Sequence, residues 1–568
     1  MLPQKRYREG NGVTITANPR VKLATGAPRQ IPICRDFTSG FAPIKTSKEL
    51  FYMTNERKVL RPEVDLNRLK YIFLWVFAFG LVAHGFCYFN GNFSHDSLFS
   101  IYEESPDINI AVGRFLRPVY RMLRGNFALP VINGFLSLVY LSLAIYLLSD
   151  VMNIRRKSFL ALTCGLLSTN VTFSLMNATY FHDSDAYMLS LLLALAGVWA
   201  ALRLRHGICW SVFLYFCSLG IYQAYIDAAI YVILMLALVR LLQGERVKRV
   251  YLESLQYLLA IAAAMVLYYI GIKVTQHFAN LSDGDYYNTL SNVTALSLGS
   301  IFQRLFTCLF ADAAWFLVPS GHSIPVVTVV NILMLLAAVW MVIGLIRFRH
   351  LPTASDFGIL GVLAAIPFGM NAITVISDMY HALTLYALYL SYVWVLVLAE
   401  LYLATGKPAA QRGKLACAVL AGILIFDGCL FSNESYLKKE LENSATLSVF
   451  TRMLSRMEST PGFVPGQTRV AFVGLLLDGP LSYGSPGFCY TNTGMGHSFN
   501  VSYHDTYETY LSYYLGYPVD CVDSTEIVEY EQMEQVAAMP LFPAEGSIQM
   551  IDDVLVVKFS PIQEEETE

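Results

Sequence analysis

The chain has 568 residues and a net charge of −3; 55% of the residues are hydrophobic, 13% aromatic and 15% charged, against roughly 25% charged in a soluble domain. This composition excludes a soluble enzyme, and the slight acidic balance gives no basis for a nucleic-acid partner. A polytopic α-helical membrane protein is left.

In chain order, residues 1–68 read as a basic cytoplasmic arm, because the first 70 residues carry 14 Lys/Arg against 6 Asp/Glu while the far end closes in EEETE. The first apolar stretch begins near Lys70, beyond the place of a cleavable signal peptide. Apolar runs able to cross about 30 Å of hydrocarbon then fall near 69–89, 128–149, 158–180, 186–203, 208–221, 225–242, 251–273, 324–346, 357–376, 382–403 and 415–431. That predicts about 11 transmembrane helices within residues 69–435, the fifth being short.

The connections RRK at 155, RLRH at 203, GERVKR at 244, RFRH at 347 and TGKPAAQRGK at 405 are basic and are expected to be cytoplasmic. The amino terminus then lies inside and the carboxyl terminus outside. The other connections are extracytoplasmic, including 90–127, HDSD at 182, YQAYID at 222, the segment 276–323 and SDMYH at 377. Residues 300–322, broken by Asp312, Pro319 and Gly321, read as a re-entrant or interfacial helix pair rather than a span.

The first of these outer loops holds Arg114, Arg117, Arg121 and Arg124 against the charge rule. At 100° per residue they share an arc of about 80°, opposite Phe115, Leu116, Val119, Met122 and Leu123, as in an interfacial amphipathic helix. Pro118 removes the hydrogen bond to the Arg114 carbonyl, leaving Arg114 in the turn before the regular helix. Two readings stand: arginines snorkelling to anionic lipid, or a phosphate site made of bidentate guanidinium groups. Asp96 lies just beyond the first run, and His182-Asp183-Ser184-Asp185 lies at the same depth. Each acid alone reads as a solvated loop residue; together with the arginines they supply a base for a nucleophile and cations for a phosphate leaving group.

Residues 436–568 change character: TRVAFVG and DVLVVKF are strand-like and YHDTYETYLSYYLG is helix-like, as in a small extracytoplasmic α/β domain. Its tyrosines at 503, 507, 510, 513, 514 and 517 suit either core packing or stacking on carbohydrate. Most of the ten cysteines lie in or beside apolar runs as packing residues. Cys489 and Cys521 share a polar region and can pair if that region is outside the cell.

The order of these features resembles the bacterial glucosyltransferase type II family, the phage-type O-antigen glucosyltransferases of the GT-C superfamily. The resemblance is carried by FSHDS (Asp96), GRFLRP (Gly113, Arg114, Arg117, Pro118), HDSDAYMLSLLLAL (Asp185, Tyr187) and SLGIYQAYIDAAI (Tyr222, Gln223). SNESYLK followed by HDTYETYLSYYLGYPVD continues it, so that it covers roughly residues 70–520. It implies a GT-C-like arrangement and transfer of a hexose, typically glucose, from a polyprenyl-phosphate donor such as undecaprenyl phosphate glucose to an envelope glycan on the outer face of the cytoplasmic membrane. O-antigen, teichoic acid or another polysaccharide would be the acceptor, and a polyprenyl-phosphate-sugar synthase and a flippase would act upstream.

Under this resemblance Asp96 is the general base of an inverting displacement, with Asp185 as a second catalytic candidate. Arg114, Arg117 and Arg121 neutralise the departing phosphate. His95, His182, Asp183, Tyr222, Gln223, Tyr380 and His381 are candidates to hold the sugar or acceptor; for His381 a role satisfied at a helix end is the competing reading. The family's first motif is expected to carry paired acids, and His-Asp-Ser here has one, which weakens the case for a divalent cation (Mg or Mn). Asp183, Asp185, Asp283 and Asp285 remain as candidate ligands, the last two in a DGD that also reads as a turn. The rival from another class is a transporter or flippase for a lipid-linked sugar. Transporters carry ionisable residues near the midplane and repeat their span pattern, whereas the charges here cluster at one edge.

Overall fold

The computed structural model describes residues 64–91, 93–98, 106–281, 297–319, 323–377, 380–482, 499–501 and 504–561. The arm up to residue 63, the turn with Asp283 and Asp285, Tyr503 and Cys489 lie outside the described residues, and with Cys489 so does its pairing to Cys521.

Helix α1 (Leu66–Asn90) begins where the Asp65 carboxylate accepts the Arg68 N–H at 3.0 Å and ends at Gly91 in the left-handed region, the usual chemistry of a capped start and a glycine stop. Three short helices follow, α2 (His95–Leu98), α3 (Pro106–Ala111) and α4 (Leu116–Arg124). The bundle continues with α5 (Pro130–Val151), α6 (Lys157–Ser168), α7 (Val171–Tyr180), α8 (Ser184–Arg203), α9 (Gly207–Ile221), α10 (Ile226–Leu242) and α11 (Val247–Phe278). Then come α12 (Leu298–Leu317), α13 (Val326–Arg349), α14 (Thr353–Met370), α15 (Ala372–Ser377), α16 (Tyr386–Leu403) and α17 (Pro408–Glu458).

Among the described residues nine helical stretches are long and apolar enough to cross a membrane, with Lys157–Ser168 and Gly207–Ile221 apolar but shorter. The protein is therefore a polytopic membrane protein. Every one of the eleven apolar runs falls on helix. The third is divided at Thr169–Asn170, where the Asn170 side chain accepts the Phe173 N–H at 2.9 Å and restarts the helix.

Three expectations change. Asp312 does not break its segment: α12 is a single 20-residue helix that stops just before Pro319, because the carboxylate finds partners in Asn371 and Tyr380. The last helix does not end with its apolar run near residue 431; α17 is 51 residues long and continues to Glu458, so position 436 lies inside a helix. The arginine helix also differs from a helix floating on a surface. Val119, Met122 and Leu123 are exposed, but Arg117 and Arg121 are each only 4% exposed, and Phe115 is buried before the helix begins.

The carboxyl-terminal part of the chain forms a four-stranded sheet in the order β2-β1-β4-β3, with β1 (Arg469–Val473), β2 (Asp520–Cys521), β3 (Ile548–Ile551) and β4 (Val554–Lys558). β1 is parallel to β2 and β4, and β3 is antiparallel to β4. Strand alternation sends Val470 and Phe472 to one face, against Phe450 and Met453 of α17, and Ala471 and Val473 to the other. Tyr507 and Tyr510 are buried in the first of these layers, so core packing takes those two aromatic positions. Leu98 of α2 enters the same layer, which ties the Asp96 loop to the sheet end of the molecule.

Candidate active site

Asp96 stands in a four-residue helix that could not persist alone. It is held by Ser94, whose hydroxyl donates to the Thr179 carbonyl at 2.5 Å, while the Ser97 hydroxyl accepts the Ser94 N–H at 2.6 Å. These bonds pin α2 to the end of α7. Asp96 is half-buried and hydrogen-bonded to Tyr180. His95 opens α2; its side chain lies outside the described residues.

Beside it the HDSD turn is wired into α4. Arg117 pairs with Asp183, and Arg124 Nε lies 3.0 Å from Asp185 Oδ2 while its NH2 donates to the His182 carbonyl at 3.0 Å. Tyr120 Oη donates to Asp185 at 2.7 Å. Burial, and after it the Asp185 charge, push the Tyr120 phenol above its ordinary value, so it stays protonated and remains a donor. His182 Nε2 is 3.4 Å from Asp183 Oδ2, and Asn133 of α5 donates to the His182 carbonyl at 2.8 Å. Arg121 donates to the Asn126 carbonyl at 2.7 Å. Asp183 and Asp185 are fully buried, as expected of carboxylates that have charge partners. With a guanidinium on each, they fit a divalent cation poorly. No group of three His, Cys, Asp or Glu that could hold a metal ion occurs among the described residues.

Arg114 is placed differently. It precedes α4 and keeps partial exposure, its NH1 is 3.4 Å from Tyr187 Oη, and its guanidinium lies 5.0 Å from the Tyr222 ring centroid. Tyr187 and Tyr222 stack at 4.2 Å. The turn that delivers Arg114 needs Gly113: its φ is +78°, and a Cβ there would lie 2.5 Å from Tyr268 Oη. Gln223 braces that turn, donating to the Val112 carbonyl at 2.9 Å and to Tyr268 Oη at 2.6 Å. Tyr180 lies between the two charges, bonded to Asp96 on one side and 6.1 Å, ring to ring, from Tyr187 on the other.

The structure thus brings Asp96, Arg114, Arg117, Arg121, His182, Asp183, Asp185, Tyr222 and Gln223 to one end of the bundle. Tyr380 and His381 belong to a different set of described contacts. Tyr380 Oη donates to Asp312 Oδ1 at 3.1 Å, and His381 Nδ1 accepts the Leu383 N–H at 3.3 Å. Asp312 is pushed up to about 6 by burial, against the hydrogen bonds from Asn371 and Tyr380. Sequence reasoning missed Tyr180 and Tyr120 as site residues. An apolar-looking tyrosine at a helix end carries no signal of its own, although Tyr180 directly precedes the FHDSD motif.

The model of the family described as Glucosyl transferase GtrII matches residues 85–399, more than half of the chain and all of the site just described. Comparison with curated proteins and with solved structures gives no match.

Proposed function

The chain belongs to the glucosyl transferase GtrII family, and from that premise we propose that this membrane glycosyltransferase moves a hexose, glucose by family habit, from a polyprenyl-phosphate donor to an envelope glycan. The reaction takes place at the extracytoplasmic edge of an eleven-crossing bundle in the cytoplasmic membrane, counting the two short apolar helices, with the amino terminus inside and the carboxyl terminus outside. The observation that supports this best is the line Asp96–Tyr180–Tyr187–Arg114. It connects a carboxylate and a guanidinium through two neighbouring tyrosines.

In this reading the acceptor hydroxyl attacks the anomeric carbon as Asp96 takes its proton. The carbon–oxygen bond to phosphate breaks with its electron pair going to the phosphate oxygen, and Arg114 stabilises that charge. A single displacement inverts the anomeric centre. A positioned base contributes about 10²- to 10⁴-fold, and a preorganised cation in a site shielded from water adds to it. Arg117, Arg121, Arg124, Asp183 and Asp185 hold α4 in register and bias the local field without touching the reacting atoms. Tyr222 and Gln223, which stand beside Arg114 and its turn, would contact the sugar.

The test is release of polyprenyl phosphate from labelled polyprenyl-phosphate-glucose by the purified protein with a native cell-envelope polysaccharide, wild type against Asp96→Asn. Loss of release in the variant with donor binding retained supports the reading. Equal release by both moves the base away from Asp96. Binding without release by the wild type sinks the transferase and favours the lipid-linked-sugar transporter.

A further inference from the structure

The helix His504–Thr509 runs on into a π-helical turn, Tyr510–Tyr514, closed by the Leu515 N–H donating to the Tyr510 carbonyl at 3.0 Å. In a regular α-helix the residues three and four positions beyond a buried one share its face. Here Tyr510 and Leu511 are buried in the layer between the sheet and α17, yet Tyr513 and Tyr514 stay 58% and 40% exposed. The extra residue in the turn permits that arrangement, and π-turns of this kind are frequent at functional sites.

The two exposed rings adjoin the Asp96 loop. Tyr514 stacks on Tyr510 at 4.9 Å and meets the Phe93 ring edge-on at 5.2 Å. Phe93 stands three residues before Asp96, and its ring lies 5.7 Å from that of Phe181, which directly precedes the HDSD turn. Aromatic contact thus runs unbroken from the exposed tyrosines to the loop that presents the carboxylate. Glu440 of α17 is half-buried close by. Burial, and after it the Glu440 charge, push the Tyr514 phenol above its ordinary value, so the hydroxyl stays protonated. Lys438 and Lys439 pair with Glu442, and among the described residues Glu440 has no ion-pair partner.

We propose that Tyr513, Tyr514 and Glu440 form a subsite for an uncharged sugar unit of the glycan acceptor, whose neighbouring unit reaches Asp96. This rests on the transferase reading argued above and names the chemistry of its acceptor. The C–H face of a pyranose packs on a phenol ring, and the phenol hydroxyl is left to bond at the ring edge. A carboxylate accepts strong hydrogen bonds from sugar hydroxyls. The same carboxylate repels phosphate, so charge selects against a polyol-phosphate polymer and against an anionic lipid headgroup at this point. The subsite acts on acceptor binding and makes no contact with the departing phosphate.

The experiment measures transfer from labelled polyprenyl-phosphate-glucose to native cell-envelope polysaccharide by the full-length protein, with donor and acceptor varied separately. Alanine at either tyrosine is expected to raise the acceptor KM about 3- to 10-fold, with kcat and donor KM unchanged as the control for folding. Tyr514→Phe, which keeps the ring, is expected to stay within about twofold of the wild type. Glu440→Lys is expected to raise the acceptor KM as well; a fall would mean an anionic ligand and overturns the assignment. An unchanged acceptor KM in both alanine variants, or a loss carried by kcat or donor KM in both, also overturns it.

A second measurement does not depend on turnover: equilibrium binding of the same polysaccharide, without donor, to the wild type and to the double variant Tyr513→Ala with Tyr514→Ala. Binding weakened about tenfold in the variant supports the subsite. Equal binding by both, or none by the wild type, overturns it. If the difference in binding holds while no glucose is transferred, the transferase reading has failed and the saccharide site stands.

Discussion

Arg124 and Asp185 form a buried ion pair, guanidinium nitrogen to carboxylate oxygen 3.0 Å, with side chains 2% and 0% exposed. Asp185 also accepts from Tyr120 on the same oxygen, so this oxygen holds α4 against the start of α8. Removing one member of such a pair strands the other charge and costs about 3–5 kcal/mol. Asp185→Asn and Arg124→Met are each expected to lower the thermal unfolding temperature in detergent by several degrees. The combination Arg124→Met with Asp185→Leu is expected to recover part of the loss. If Asp185→Asn melts like the wild type yet abolishes transfer, Asp185 belongs to the chemistry and its positioning role is wrong.

Asp96→Asn is expected to cut kcat by about 10²- to 10⁴-fold, the range of a lost general base. The donor dissociation constant should stay within about twofold, because the carboxylate meets the acceptor rather than the phosphate. Single-turnover transfer together with equilibrium donor binding separates the two quantities. A matching loss of binding would place Asp96 in donor recognition instead.

Arg114→Lys keeps the charge but loses the planar contact with Tyr222 at 5.0 Å. Cation–π contacts of this kind contribute roughly 0.5–2 kcal/mol, so KM for the donor should rise about 2- to 30-fold with kcat less affected. Tyr222→Leu should reproduce the effect in an otherwise wild-type chain. An unchanged donor KM in both variants removes Arg114 from the phosphate site.

Asp312 carries a pH dependence whose sign can be worked out. Its folded pKa, about 6, lies above the ordinary 3.8, so the folded state binds this proton more tightly than the unfolded state does. The contribution to stability is full below pH 3.8 and is lost as pH rises through about 6. At neutral pH the ionised group is a burden of at most about 3 kcal/mol. Asp312→Asn is therefore expected to stabilise the protein at pH 7.5 and to lose about half of that advantage by pH 5, the rest disappearing below pH 3.8. Parallel melting curves across that interval would show that the carboxylate is ordinary.

Much of the fold was legible because a bilayer restricts the solutions. Each apolar run long enough to cross had to become helical, and each falls on helix, the third and ninth in two pieces. The strands around Val470 and Leu555 were visible as short, valine-rich runs. The continuity of α17 through position 436 was not legible, since SNESYLKKELENS is polar and reads as the end of a span. Its helix survives because Lys438, Lys439 and Glu442 are buried together, with Lys439 Nζ 2.8 Å from Glu442 Oε2. Asp312 misled for the same reason: a lone acid in an apolar helix looks like a break until Asn371 and Tyr380, 59 and 68 residues away, supply its hydrogen bonds.

The sequence by itself determined the membrane class, the helices, and the presence of acids and arginines at one edge, because hydropathy and periodicity are local properties of the chain. Only the tertiary structure decided how those charges were divided. From sequence, Arg114, Arg117, Arg121 and Arg124 are equivalent points on one helical arc. In the folded protein Arg117 and Arg124 meet Asp183 and Asp185, Arg121 meets a backbone carbonyl, and Arg114, one turn earlier and displaced by Gly113, meets Tyr187 and Tyr222. Pairing depends on which helices pack side by side, and a buried charge takes whichever partner that packing brings within reach.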